Sequence, residues 1–165
     1  MHLFVCITII TTMTAYFANG ASEQSNVLAV NSFNNAFYVK NEDGLGYFKL
    51  NTVGGLPTRT QFWMCCEMIE MIEDAFDATH DPVYSGMASQ LLDGLNVLIS
   101  GTEDFASWDI YNDDIMWAVI ALARGYKITH NKAYLSQAEI QFNAVWNRGW
   151  DTKNGGLFWT TANQV

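Results

Sequence analysis

Two stretches, DAFDATHDPVYSGMA from Asp74 to Ala88 and RGYKITHNKAYLSQA from Arg124 to Ala138, lie fifty residues apart and align without a gap. Thr79-His80 falls on Thr129-His130, Tyr84 on Tyr134, Ala88 on Ala138, and Phe76 on the aromatic Tyr126. Several matches in one register identify a duplicated structural unit. Each unit reads as two helices. From Phe62 onward, apolar or small side chains recur at Cys65, Met68, Ile69, Ile72, Ala75, Phe76 and Thr79, with Glu67, Glu70, Asp74 and Asp77 on the other face. Asp81 then has the character of an N-cap, with Pro82 at the first helical position. A second stripe follows at Tyr84, Met87, Ala88, Leu91, Leu92, Leu95 and Leu98. The next unit repeats the design with Ile115, Met116, Val119, Leu122, Ala123 and Tyr126, then Asn131 as cap, then Tyr134, Ala138, Phe142 and Val145. His80 and His130 each close a first helix, where an imidazole favours the C-terminal carbonyls. GLGYFKL (Gly44–Leu50) and GGLFWTT (Gly155–Thr161) read as short extended pieces or hairpins bounded by glycine. The fold class is therefore all-α, built from helix hairpins of about fifty residues that stack on neighbours to bury their faces.

An inner-helix start at Trp63 recurs at Asp113 and would recur at Asn163, two residues before Val165. The chain is accordingly expected to be the N-terminal part of a larger toroid. Taken alone, such a part is expected to expose apolar helix faces and to be inactive or poorly soluble.

The 165 residues suffice for one domain with a real core, and 50% hydrophobic with 15% charged residues describes a globular chain. A net charge of −9 repels phosphate backbones and argues against a nucleic-acid partner, while a neutral sugar is indifferent to it. Residues 1–20, MHLFVCITIITTMTAYFANG, carry no Asp, Glu, Lys or Arg and place small residues before a cut after Gly20. That pattern predicts a secretory signal peptide, with the mature domain spanning 21–165 and a secreted, periplasmic or cell-surface location. Its n-region departs from the usual form, offering only the α-amine and His2. The run is too short and too threonine-rich for a comfortable membrane span. Cys65 and Cys66 are neighbours in a helical pattern, where their side chains diverge by about 100°, so they read as small buried apolar residues. No Cys or His spacing matches a metal site.

Asn112-Asp113-Asp114 opens the first helix of the second unit. One reading is structural: Asn112 caps, and acids in the first turn suit the helix dipole. Against it, the equivalent start in the first unit is Gln61-Phe62-Trp63, so the fold does not require an acid pair. Two adjacent carboxylates also repel, and loops carrying Trp108, Tyr111, Trp150, Phe158 and Trp159 reach the same end of the ring. Sugar rings pack apolar C–H faces on flat aromatics, and paired carboxyls supply acid, base or nucleophile. The helix start stabilises one carboxylate, and repulsion raises the other's pKa, keeping it protonated as a general acid. Retaining enzymes hold the two carboxyls about 5–5.5 Å apart and inverting ones about 6.5–9.5 Å. Neighbouring residues meet either value, so spacing leaves the stereochemistry open.

FWMCCEMIEMIEDAFDATHDPVY, YNDDIMWAVIALARGYKITHNKAYL and FNAVWNRGWDTKNGGLFW together resemble glycoside hydrolase family 76, the α-1,6-mannanase family, from about Asn31 to Val165. The YNDD-x-x-W and GGLFW segments are the most specific parts. The resemblance implies an (α/α)6 toroid, of which this chain would be about the first half, and retaining hydrolysis of α-1,6-linked mannose backbones without a cofactor. It implies Asp113 as nucleophile and Asp114 as acid/base, with Trp63, Tyr111, Asn112 and Trp159 shaping a cleft for α-mannan or manno-oligosaccharides. Cys65-Cys66 departs from the Gln-Ala or similar pair the family more often shows there. Two alternatives stay open: a mannan transglycosylase acting on cell-wall glycans, and a non-catalytic mannan-binding protein. Cofactor-free sugar epimerases also use α/α toroids, but their chemistry leans on histidine, and His80 and His130 sit at the far ends of the inner helices.

Overall fold

A computed structural model of the chain describes residues 23–53 and 62–163. The expected leader, residues 1–20, lies outside the described residues. Helix α1 spans Glu23–Phe37 and runs into a short antiparallel hairpin of β1 (Tyr38–Lys40) and β2 (Gly46–Phe48), with Val39 opposite Tyr47. Helices α2 (Phe62–Thr79) and α3 (Pro82–Gly94) form the first unit, and α4 (Asn112–Thr129) and α5 (Lys132–Gly149) the second. The first helices of the two units start and end fifty residues apart, as the repeat demands. Leu95–Ser100 continues α3 as a π-helical turn that stops at Gly101, whose φ is +71°. GLGYFKL supplies β2, as its pattern suggests. Helix α1, in contrast, carries no repeat partner, and its apolar positions form no clean stripe, so periodicity alone does not announce it.

The link between the helices of each hairpin is duplicated atom for atom. His80 and His130 adopt left-handed backbone at φ 55° and 58° and donate their amides to Phe76 O at 2.7 Å and Tyr126 O at 2.8 Å. Their backbone, rather than an imidazole against the carbonyls, ends each helix. Thr79 Oγ1 and Thr129 Oγ1 donate to the carbonyls four residues back, at 2.7 Å in both units. Asp81 then caps Val83 N at 2.9 Å, and Asn131 caps Ala133 N at 3.1 Å.

Helix α4 packs against α2, α3 and α5, while α1 lies against α2. This places α2 and α4 inside and α1, α3 and α5 outside. The outer layer is linked by the repeated tyrosines: Tyr84 donates to Asn31 Oδ1 of α1 at 3.0 Å, and Tyr134 to Asp93 Oδ1 of α3 at 2.8 Å. The core runs through Ile69, Ile72, Leu92, Leu95, Ile115 and Leu122, all essentially inaccessible. Each such side chain contributes about 1.5–3 kcal/mol of hydrophobic stabilisation. Cys65 and Cys66 are buried free thiols within it. On the second unit Trp117 and Ile120 of α4 and Phe142 and Trp146 of α5 face solvent. No helix among the described residues is long and apolar enough to cross a membrane.

The acidic face of α2 is not a solvated stripe. Arg124 of α4 reaches Asp74 Oδ1 at 2.6 Å, Asp77 Oδ2 at 3.1 Å, Glu70 Oε2 at 3.6 Å and Glu73 Oε2 at 3.7 Å. Asp74 and Arg124 occupy the same position of their units. Glu73 is wholly buried, and neither of its oxygens has a hydrogen-bond partner among the described residues. Burial pushes its carboxyl up to about 9, with Arg124 opposing, and pushes Glu70 up to about 7. An acid raised in the folded state keeps its proton there after the unfolded chain has lost it, so stability falls as pH climbs from about 5 to 9. Glu73→Gln keeps the shape without the ionisation and is expected to flatten that decline, gaining about 1–3 kcal/mol at pH 9. Thermal unfolding of both proteins at pH 5, 7 and 9 checks this, and parallel declines would exclude Glu73 as the source.

Candidate active site

GGLFWTT and the entry to α4 form one unit. From α5, Phe158 N donates to Gly149 O at 2.8 Å and Trp150 pairs with Leu157, turning the chain back on itself. The strap then crosses the start of α4. Asn112 N donates to Trp159 O at 2.9 Å, Thr161 N to Ile110 O at 3.0 Å, and Tyr111 pairs antiparallel with Thr160. Gly155 and Gly156, at φ +78° and +89°, make the turn that lets it do so.

Arg148 braces the junction from below. Its Nε donates to Asn112 Oδ1 at 2.7 Å, and its terminal nitrogens donate to Ala106 O at 3.0 Å and Asp109 O at 2.9 Å. Asn112 Nδ2 in turn donates to Phe158 O at 2.7 Å. Asn112 is therefore not the helix cap: Tyr111 holds that position, and the Asn112 side chain is buried between strap and brace. Gly149 makes room for it, since a Cβ there would lie 2.6 Å from Asn112 Nδ2.

Asp113 and Asp114 occupy the first turn of α4 in different surroundings. Asp113 is exposed, and its Oδ2 accepts the Trp159 indole N–H at 2.9 Å. Asp114 is partly buried; burial, and then the charges of Asp109 and Asp113, raise it to about 6. Asp109 is itself buried and accepts Tyr111 N at 2.9 Å through Oδ1. Burial raises its carboxyl as well, opposed by that hydrogen bond and by Arg148.

The structure thus draws Asp113, Asp114, Tyr111, Asn112 and Trp159 into one cluster. The Tyr111 and Trp159 rings lie 5.3 Å apart at 46°, and Trp159 is 60% exposed. Trp63, at the repeat position of Asp113 on α2, is partly buried against the core. Two tryptophans read as rim residues have other work. Trp108 donates to Ser100 Oγ at 3.0 Å and meets Phe62 edge-on, whereas Trp150 stacks on Trp146 at 4.3 Å. Asp109 and Arg148 were not singled out by sequence reasoning. Arg148 replaces Leu98 of the first unit, a departure of the same kind as Asp113 for Trp63.

The fold has solved counterparts. The GH76A α-1,6-mannanase from Salegentibacter sp. HEL1_6 aligns with a TM-score of 0.64 at 23% identity, over 80% of this chain and 36% of that one. An inactive variant of that enzyme, with asparagine at two consecutive aspartate positions and in complex with α-1,6-mannotriose, aligns at 0.63 and 21% identity over the same shares. A D-mannose isomerase aligns at 0.60 and 19% identity over 96% of this chain and 45% of its own. The chain therefore spans less than half the length of these proteins. No curated protein matches it. At these identities the structures speak for the α/α toroid fold alone, but the sequence profile of glycosyl hydrolase family 76 matches residues 21–164, nearly the whole chain. The chain belongs to glycosyl hydrolase family 76.

Proposed function

We propose that the protein is a glycoside hydrolase that cleaves α-1,6-linked mannose backbones with retention of configuration, acting outside the cell or at its surface. The observation that carries this reading is the asymmetry of the acid pair: Asp113 exposed and held by an indole N–H, Asp114 partly buried and raised to about 6. Two carboxyls in different surroundings at one helix start, one exposed and hydrogen-bonded and one partly buried, can divide nucleophile from acid. Asp113 attacks the anomeric carbon while Asp114 passes its proton to the glycosidic oxygen, so the C1–O bond breaks as an ester to Asp113 forms. Asp114, now a carboxylate, takes a proton from the water that displaces Asp113. Tyr111 and the exposed Trp159 ring offer flat apolar faces beside the acids, suited to a sugar's C–H face. The family assignment and the mannotriose complex of the inactive Salegentibacter variant, altered at two consecutive aspartates, support the choice of substrate and residues.

The test is digestion of linear α-1,6-mannan with analysis of the released oligosaccharides. Cleavage is expected of the protein with the toroid complete, since this chain spans 36% of the length of the Salegentibacter enzyme, and Asp113→Asn with Asp114→Asn together should retain mannan binding without turnover. Binding by the unaltered protein with no cleavage would replace hydrolysis by a glycan-binding role. Products extended on an added manno-oligosaccharide acceptor would instead identify a transglycosylase. The D-mannose isomerase fold likeness brings no second reading, because His80 and His130 close the opposite ends of the inner helices.

A further inference from the structure

Trp159 holds an unusual position. It is a large aromatic residue at 60% exposure, yet its backbone is fixed on both sides, by Thr160 pairing with Tyr111 and by its own carbonyl accepting Asn112 N at 2.9 Å. Asn112 directly precedes Asp113, whose Oδ2 accepts the indole N–H at 2.9 Å. Two hydrogen bonds therefore join one residue of the strap to two consecutive residues of the helix start. The backbone that carries the indole is held by the neighbour of the very carboxylate the indole meets, and the Tyr111 ring lies 5.3 Å from it, so donor and acceptor meet in the absence of substrate.

We propose that Trp159 is a positioning residue for Asp113, engaging Oδ2 through its indole N–H so that Oδ1 is the oxygen that attacks the sugar. This rests on the reading of Asp113 as nucleophile. A carboxylate at the tip of a short side chain otherwise rotates about its Cβ–Cγ bond and presents either oxygen. With Oδ2 occupied, one oxygen faces the sugar. When the C1–Oδ1 bond forms and the glycosidic C1–O bond breaks, Oδ2 becomes the ester carbonyl oxygen and keeps the same N–H. The donor therefore serves both states without moving, and preorganised donors of this kind stabilise charge as it shifts. The ring face is separate from this function: it provides apolar area, and phenylalanine can supply most of that.

The two functions of the side chain predict a split in kinetics. Trp159→Phe keeps a flat ring and loses the N–H; kcat on an aryl α-mannoside is expected to fall by up to about a hundredfold with KM little changed. Trp159→Ala loses both and should raise KM as well. An independent arm uses the 165-residue chain labelled with 15N. Its six tryptophans give indole resonances, and the one missing from Trp159→Phe is Trp159. That resonance should move in Asp113→Asn, where an amide replaces the carboxylate that accepts the indole N–H. An indole signal indifferent to Asp113→Asn, or a Trp159→Phe enzyme with unaltered kcat, overturns the proposal. Full activity in Asp113→Asn would instead remove the nucleophile assignment, even with the indole coupling intact.

Discussion

Asp114→Asn is expected to lower mannan hydrolysis by at least about a thousandfold while sparing substrates that depart unaided. The reason lies in what the leaving group requires. A mannose hydroxyl is a poor leaving group and needs a proton as the bond breaks; a dinitrophenolate does not. With an activated aryl mannoside, formation of the Asp113 ester should survive, and the reaction should stall at the second step, where water has lost its base. Added azide needs no base and should restore turnover, appearing as the α-mannosyl azide. Asp113→Asn offers no such rescue by leaving group, because nothing attacks the anomeric carbon. The pH profile gives a second check. Asp114 must be protonated to act as the acid, and with its carboxyl at about 6, activity is expected to fall on the alkaline side of that value. Unchanged mannan hydrolysis in Asp114→Asn would exclude it as acid/base.

For the fold, the largest single effect is expected from Gly94→Ala. Gly94 closes α3 where the β1–β2 hairpin lies across it, and a Cβ there would stand 1.8 Å from Gly46 O and 2.9 Å from Gly46 C. Both sides of that contact are backbone, so no rotamer change relieves it. The hairpin must lift, and with it the packing of Phe48 against the core and the bond from Tyr38 OH to Gln90 Oε1. Overpacking typically costs about 1–3 kcal/mol, and a clash between two backbones belongs at the upper end or beyond. For a chain of this size that corresponds to a Tm lowered by roughly 6–12 °C. Gly86→Ala in the same helix meets nothing within 4 Å and is expected to raise Tm slightly, through the better helix propensity of alanine. Thermal unfolding of the two variants side by side separates the contact from a general effect of replacing glycine. Equal Tm values would show that the hairpin does not rest on Gly94.

Much of this architecture was legible because duplication writes a fold twice. Helix boundaries, the Asp81 and Asn131 caps and the buried tyrosines each appear at two positions, so a weak local signal in one unit is checked by the other. What escaped lies where the units differ or where a contact is made across space. Helix α1 has no copy and a diffuse pattern. Glu73 fits neither stripe of α2, and only the approach of α4 makes it a buried acid that faces Arg124 without a hydrogen bond. Asn112 has the chemistry of a cap, and a cap is the local expectation; the strap and Arg148, 36 residues away, claim its side chain instead. At the candidate site, the acids stood out as an addition to the repeat. The Asp109 charge beside Asp114 and the indole bond to Asp113 depend on loop paths that periodicity does not describe.

The pairing of Asp74 with Arg124 bears on how such a chain can have arisen. These residues stand at one position in two copies of a unit, and the contact joins each copy to its own image. Identical copies would have set like against like there, acid on acid or base on base. The attraction therefore depends on the difference between the two copies at this position. It also gives the units a direction: the sequence of the first cannot be exchanged for that of the second without turning the guanidinium away from the acids gathered around it.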